Sequence, residues 1–348
     1  MSAKPYRGRR AVTVEGRDLR VTVLEEGGHI AEIFDKAAGL NPLWTPPWAS
    51  IEPSAYGRAH AATYGDGIDA TLLAGIMGHN LCLDLFGPPS EADARTGLTA
   101  HGESSVARYD LDVNGQSLVA RAHFPIAGLQ FERRLEILDR VVAIRERVEN
   151  VSGSDRSIGW TQHVTLGPPF LEPGKTEFRA SATRSRVFES TFGADDYLRP
   201  AADFDWPHGP MENGQPIDLR LFRAAERSSA FTTHLMDQHQ RAAYFVAFAP
   251  AFELAFGYVW KPDDFPWLGI WEENRSRTQP PWHGKTVTRG MEFGVSPFPE
   301  TREEMVERGR LFGAPCYRQI AAGQTMSVEY YAVVRRTRSI PESLDWPA

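Results

Sequence analysis

Four short segments of the chain carry side chains able to move protons. His101-Gly102-Glu103 follows a stretch rich in glycine, proline and small residues, and Gln162-His163 closes a strand-like run that begins after Asn150-Val151-Ser152-Gly153. Leu268-Gly269-Ile270-Trp271-Glu272-Glu273 sets two acids beside an indole. Gly290-Met291-Glu292-Phe293-Gly294 sets one acid between two large apolar residues, shortly before Pro297-Phe298-Pro299. Side chains alternate across a strand, so Glu292 leaves the side taken by Met291 and Phe293 and faces either a polar cleft or water. By the same rule Glu272 and Glu273 point to opposite faces, and at least one of them is expected in solvent. Two imidazoles and a carboxylate, far apart in sequence, are the parts needed for proton transfer at a sugar hydroxyl and ring oxygen. Trp160, Trp260, Trp271 and Trp282 lie in or beside these segments, and indole faces pack on the apolar C–H faces of pyranoses. Taken singly, each residue also has a structural explanation. His101 can brace a turn, His163 can be a hydrogen-bonded core histidine, and core packing accounts for two or three of the tryptophans.

The elements that must position these groups are strands. Period-two alternation dominates, and three hairpins can be registered by arithmetic. Asn114-Gly115 is a strong two-residue turn signal and predicts Leu111 opposite Leu118 and Tyr109 opposite Ala120. Gly16-Arg17 predicts Val14 opposite Leu19 and Val12 opposite Val21. A turn at Asp139-Arg140 predicts the pairs Phe131/Val148, Leu135/Ile144 and Ile137/Val142. It also pairs Arg133 with Glu146, an opposite-charge couple on an apolar face that reads as a satisfied inclusion or a cleft-floor pair. Further strands are expected at Leu19–Glu25, His29–Phe34, Ala242–Phe248, Leu254–Trp260 and Met326–Val334. Thr301 and Glu304 form a capping box for one helix, with Arg308 and Arg310 near its end before Gly313. The stretch 169–239 mixes proline, aspartate, aromatics and glycine, and reads as short strands joined by long loops of the kind that border clefts.

Many strands and few helices over 348 residues predict one large antiparallel β-sandwich spanning 1–348. Propeller-type repeats are absent. The formal net charge of −7 argues against a nucleic-acid or anionic-membrane partner. The one basic cluster, Arg7, Arg9 and Arg10, reads as solvated terminal charge. Residues 1–10 lead into no apolar stretch of signal-peptide length, and no 18 apolar residues run together, so a cytoplasmic protein is expected. Its two cysteines, Cys82 and Cys316, are then expected as thiols.

In order and surroundings these segments resemble the galactose mutarotase-like (aldose 1-epimerase) superfamily. Gly27-Gly28-His29-Ile30-Ala31 with Asp35-Lys36 resembles its opening strand-turn, and His101-Gly102 its first His-Gly motif. Val148-Glu149-Asn150-Val151-Ser152 running into His163 resembles the strand that ends in a catalytic histidine. Glu292 before Phe298-Pro299 resembles its catalytic glutamate, and Ala322-Gly323-Gln324 its closing hairpin. The resemblance implies a β-supersandwich in which Glu292 is general base, His163 general acid and His101 a sugar-binding imidazole. It implies anomer interconversion by ring opening, with no metal or cofactor.

The sequence also departs from that pattern. An arginine usual about twenty residues before the His-Gly motif is missing, and Gly78-His79-Asn80-Leu81 stands there, so His79 or Asn80 takes its place. Val164-Thr165-Leu166-Gly167 replaces the aromatic and asparagine residues usual after the second histidine. Glu103 adds a carboxylate beside His101. These changes mark a divergent branch and a small-molecule sugar other than galactose. Trp160, Trp271 and Glu272 complete the expected sugar-binding set. Two other readings stay open: a non-catalytic carbohydrate-binding protein, or another sugar enzyme such as a lyase, hydrolase or keto-sugar isomerase. A metal held by His79, His101, His163 and Glu103 would favour the latter. A phosphorylated sugar would need clustered cations, for which Arg184 with Arg186, or Arg275 with Arg277, are available. Sequence leaves the oligomeric state open.

Overall fold

A computed structural model describes residues 4–347. The reading of the first residues as a polar lead-in falls, for residues 1–3, outside them. Two large antiparallel sheets, of twelve and eight strands, pack face to face. The Arg156–Leu166 strand runs through the middle of the larger sheet, between His79–Asp84 and Val287–Gly294. Trp267–Asn274 and Ser228–Met236 follow on the Val287–Gly294 side. One face of this sheet meets the smaller sheet in the main core. Leu81, Trp160, Val164, Ile270, Met291 and Phe293 on one side pack there with Phe131, Ile144, Tyr258 and Tyr330 on the other. Its opposite face carries a second apolar cluster built around Trp44, Phe86, Phe231, Trp271 and Trp282. Strands in the centre of the larger sheet are therefore buried on both faces, and the site lies on the face away from the smaller sheet.

The Asp139-Arg140 hairpin pairs Phe131 with Val148, Arg133 with Glu146, Leu135 with Ile144 and Ile137 with Val142, as its alternation predicts. Arg133 and Glu146 are a buried inclusion. Arg133 Nε donates to Glu146 Oε1 at 2.7 Å, and its Nη1 donates to the Gly28 carbonyl at 3.0 Å. Glu146 also accepts from Trp160 Nε1, Gln162 Nε2 and the Tyr330 hydroxyl at 2.7–2.9 Å. With Arg133 Nη2 donating to Gln162 Oε1 at 3.3 Å, each side-chain nitrogen and oxygen of the pair has a partner, which a buried ion pair requires.

The other two hairpins differ from expectation by two residues. Leu111 faces Ala120 and Val113 faces Leu118, because Gly115, at φ 61°, takes the first turn position and Asn114 joins the ladder opposite Ser117. Val14 faces Val21 and Val12 faces Val23, because Arg17-Asp18 make the turn and the Gly16 N–H bonds the Leu19 carbonyl. A shift of two keeps each apolar stripe on its face. Thr301 and Glu304 do cap a helix, Arg302–Arg308, but it stops at Gly309 (φ 62°), well short of Gly313. The 169–239 region holds short strands as expected, and also the nine-residue strand Ser228–Met236, whose burial is nearly complete. Arg9 is not solvated. It is fully buried, with Nε donating to Glu52 and Nη2 to the Glu26 carbonyl. Cys82 and Cys316 are buried free thiols. Among the described residues no helix is long and apolar enough to cross a membrane.

Candidate active site

His163 and Glu292 are direct cross-strand neighbours on the outer face of the larger sheet. Their side chains meet there, with His163 Nε2 3.0 Å from Glu292 Oε1. The contact is close but not aligned as a hydrogen bond, so Glu292 Oε1 is a buried carboxylate oxygen with no hydrogen-bond partner among the described residues. Thr165 Oγ1 lies 3.0 Å from His163 Nδ1 and holds the ring. On the other flank of Glu292 the cross-strand neighbour is Gly269, while Gly290 lies beside Trp271. Gly290 leaves room for the carboxylate and Gly269 for the Phe231 ring.

A cavity of about 140 Å³ opens over this pair. His101, Trp271, Trp282, Trp44, Phe231 and Phe86 line it together with His163 and Glu292. At roughly 10–15 Å³ per water, it is on the scale of one sugar ring. The His101 and His163 rings are 5.0 Å apart, and Trp271 lies 5.9 Å from His163. His101 sits at φ 66°, a left-handed conformation that costs a non-glycine residue about 1–3 kcal/mol and that clusters at ligand sites. Its Nδ1 lies 2.6 Å from the Phe86 carbonyl. A carbonyl only accepts, so Nδ1 carries the proton and Nε2 keeps its lone pair for a ligand hydroxyl. Trp271 Nε1 is a second buried polar atom without a partner.

Burial sets the proton chemistry. Desolvation pushes Glu292 well above the usual carboxylate range, opposed in part by Arg277, and pushes His163 well below the usual imidazole value, helped by His101. Both shifts favour uncharged groups, which places the proton the two share on Glu292 rather than on His163. His101 is lowered to about 4, also by burial, and is neutral at ordinary pH.

Neither a family model nor a curated protein matches this sequence. Solved structures do. A candidate aldose 1-epimerase from Klebsiella pneumoniae aligns with a TM-score of 0.68 at 14% identity, covering 97% of this chain and 83% of that one. Galactose mutarotase-like proteins from Lactobacillus casei (TM-score 0.59, 12% identity, 93% and 100% covered) and Clostridium acetobutylicum (0.60, 12%, 94% and 96%) align similarly. The fold is that of the galactose mutarotase-like proteins. At identities this low the likeness is one of fold.

Within the mutarotase-like sandwich, His101, His163, Trp271 and Glu292 are gathered at one cavity, and five other expected residues are not. His79 faces the main core, bonding Tyr258 through Nδ1 and Gln162 through Nε2. Trp160 is in the same core, donating to Glu146. Asn80 is the neighbour of His163 in the sheet and has an unpartnered Oδ1, yet it does not line the cavity. Glu103 accepts from the Ala127 N–H and braces its own loop. Glu272 turns away from Trp271 and accepts from Ser228 and Tyr197. Neither Glu272 nor Glu273 is solvated, since both side chains are buried. His79, His101, His163 and Glu103 therefore do not assemble a metal site, and no group of three potential ligands occurs among the described residues.

Sequence reasoning missed Trp44 and Asp69, and it reached Arg277 only as half of one of two arginine pairs available to a phosphorylated sugar. All three line the cavity from irregular segments. The tryptophan and proline density of Trp44-Thr45-Pro46-Pro47-Trp48 was the one available signal.

Proposed function

We propose that this protein is an aldose 1-epimerase acting on a monosaccharide. The observation that carries the reading is the unpartnered Oε1 of Glu292, buried at the cavity wall beside His163. A buried carboxylate oxygen without a partner is costly, and a sugar hydroxyl arriving in the cavity supplies the missing donor. Passage of the shared proton from Glu292 to His163 gives a carboxylate and an imidazolium without changing the charge of the site. The carboxylate then takes the anomeric O–H proton while His163 protonates the ring oxygen. The C1–O5 bond opens to the free aldehyde, C1–C2 rotates, and closure on the other face returns both protons. His101 accepts a hydrogen bond from a ring hydroxyl through Nε2, and the indoles of Trp271 and Trp282 supply apolar walls for the C–H faces. The small volume of the cavity favours a single sugar over a chain.

The test is anomer exchange followed by NMR over a panel of hexoses, pentoses, uronic acids and sugar phosphates, with binding measured in parallel. Acceleration abolished by both Glu292→Gln and His163→Ala supports the epimerase. Tight binding of a sugar with no acceleration sinks it in favour of a binding protein, and an unsaturated or keto product points to another sugar enzyme.

A further inference from the structure

The anomeric chemistry assigns no proton step to Arg277, a charged side chain in the cavity wall. Arg277 follows the Trp267–Asn274 strand, and its guanidinium carbon lies 4.9 Å from the Trp282 ring centre, 5.3 Å from Trp271 and 5.5 Å from Phe192. Its one carboxylate neighbour within 4 Å is Glu273, at 3.7 Å from Nε, which is too far for a hydrogen bond. Glu273 Oε1 accepts from the backbone N–H groups of Ser276 and Arg277 and so fixes the turn that presents the arginine, while Oε2, the oxygen nearer the guanidinium, has no hydrogen-bond partner among the described residues. Asp69 lines the same cavity and forms no ion pair with Arg277 within 4 Å. The guanidinium donors are therefore unspent among the described residues. They are held by flat rings, and a guanidinium left in this state is a ready receptor for an anion.

We propose that Arg277 receives a carboxylate on the substrate, so that the preferred aldose is an aldouronic acid. This rests on the epimerase reading. Trp271 touches both His163 and Arg277, so one sugar ring packed on that indole can hold its anomeric carbon at the His163–Glu292 pair and its carboxylate at Arg277. A planar guanidinium matches a carboxylate with two parallel hydrogen bonds, and the apolar surroundings strengthen them. A phosphate dianion would meet a single cation and the nearby Asp69 carboxylate, which makes sugar phosphates the poorer fit.

The experiment measures kcat/KM for anomer exchange with glucuronate, galacturonate, glucose, galactose and glucose 6-phosphate. It compares the unaltered protein with R277Q, R277K and D69N, with folding checked by thermal melting and uronate binding by calorimetry. We expect each uronate to exceed its parent hexose at least tenfold. The uronate-to-hexose ratio should fall at least tenfold in R277Q, mainly through KM, since a contact remote from the reacting bond acts in ground and transition states alike. In D69N the ratio should rise, which keeps the inference testable if R277Q does not fold. Equal efficiency on charged and neutral sugars overturns it, as does a preference for the phosphate or an equal loss on all substrates in R277Q. If no aldose exchanges, the epimerase reading fails separately, and uronate binding that R277Q weakens at least tenfold still supports the anion site. Absence of uronate binding overturns the inference whatever the activity.

Discussion

Gly290 and Glu292 compete for the same space: a Cβ on residue 290 would lie 2.2 Å from Oε1 of Glu292. The obstacle is the end of a side chain rather than backbone, so the carboxylate can turn aside. Gly290→Ala is therefore expected to change stability by about 1 kcal/mol or less. It should lower anomer exchange on the order of 10²-fold, the usual result of a misplaced reacting group. Thermal melting alongside NMR exchange rates checks both halves, and full activity in a folded G290A protein would mean that the present position of Glu292 is not the working one.

The rate should be flat across neutral pH. Removing the last shared proton leaves a buried negative pair, and adding a second leaves a buried positive one. The raised Glu292 and lowered His163 values push those two events apart, to the alkaline and acid sides. A kcat/KM profile that bends instead near the ordinary histidine value of about 6.5 would show a solvated imidazole at work.

Acid should unfold the protein through its buried histidines. Burial lowers His29 to about 3, His101 to about 4 and His234 to about 3. Because each folded value is depressed, the stability from the neutral ring is fully present above about pH 6.5 and is lost as pH falls toward 4 and 3. At pH 5 the loss is roughly 2 kcal/mol for each histidine. Urea melts at pH 7.5, 6 and 5 should show a steady fall, and a pH-independent midpoint over this range would contradict the burial of these rings.

The Arg133–Glu146 inclusion makes another expectation. Glu146→Gln leaves a buried guanidinium without its counter-charge, which typically costs about 3–5 kcal/mol. Arg133→Met strands the carboxylate and should cost a similar amount. Urea denaturation measures both, and a loss below about 1 kcal/mol for either would mean that water reaches the pair.

How much of this was legible follows from what alternation encodes. A stripe of apolar residues states which face a strand buries, and so the Phe131–Val148 hairpin, with its long stripes and a turn residue at positive φ (Asp139, 54°), was readable to the exact partner. In the two shorter hairpins a two-residue slip preserves the stripe, and only the turn geometry could decide. Within the site, Glu292 was legible because glycines and large apolar neighbours isolate it. His79 and Trp160 were not, because their strands are buried on both faces, and burial on both faces erases the pattern that tells core from cavity. Trp44, Asp69 and Arg277 come from loops, where no periodicity states a direction at all.

His163 and Glu292 belong to the two halves of the chain, yet they sit side by side in one sheet. Their adjacency is a long-range contact whose loop must close before the pair exists, and such contacts are slow to form. Early on the ribosome, the emerging chain can build the Phe131–Val148 hairpin from its own neighbours, but the proton-transfer pair must wait for the strand that carries Glu292. The carboxylate oxygen that lacks a partner thus stays in water until that later strand has been made and has joined the sheet. Its desolvation falls late in folding, when both sheets are present to bear the cost.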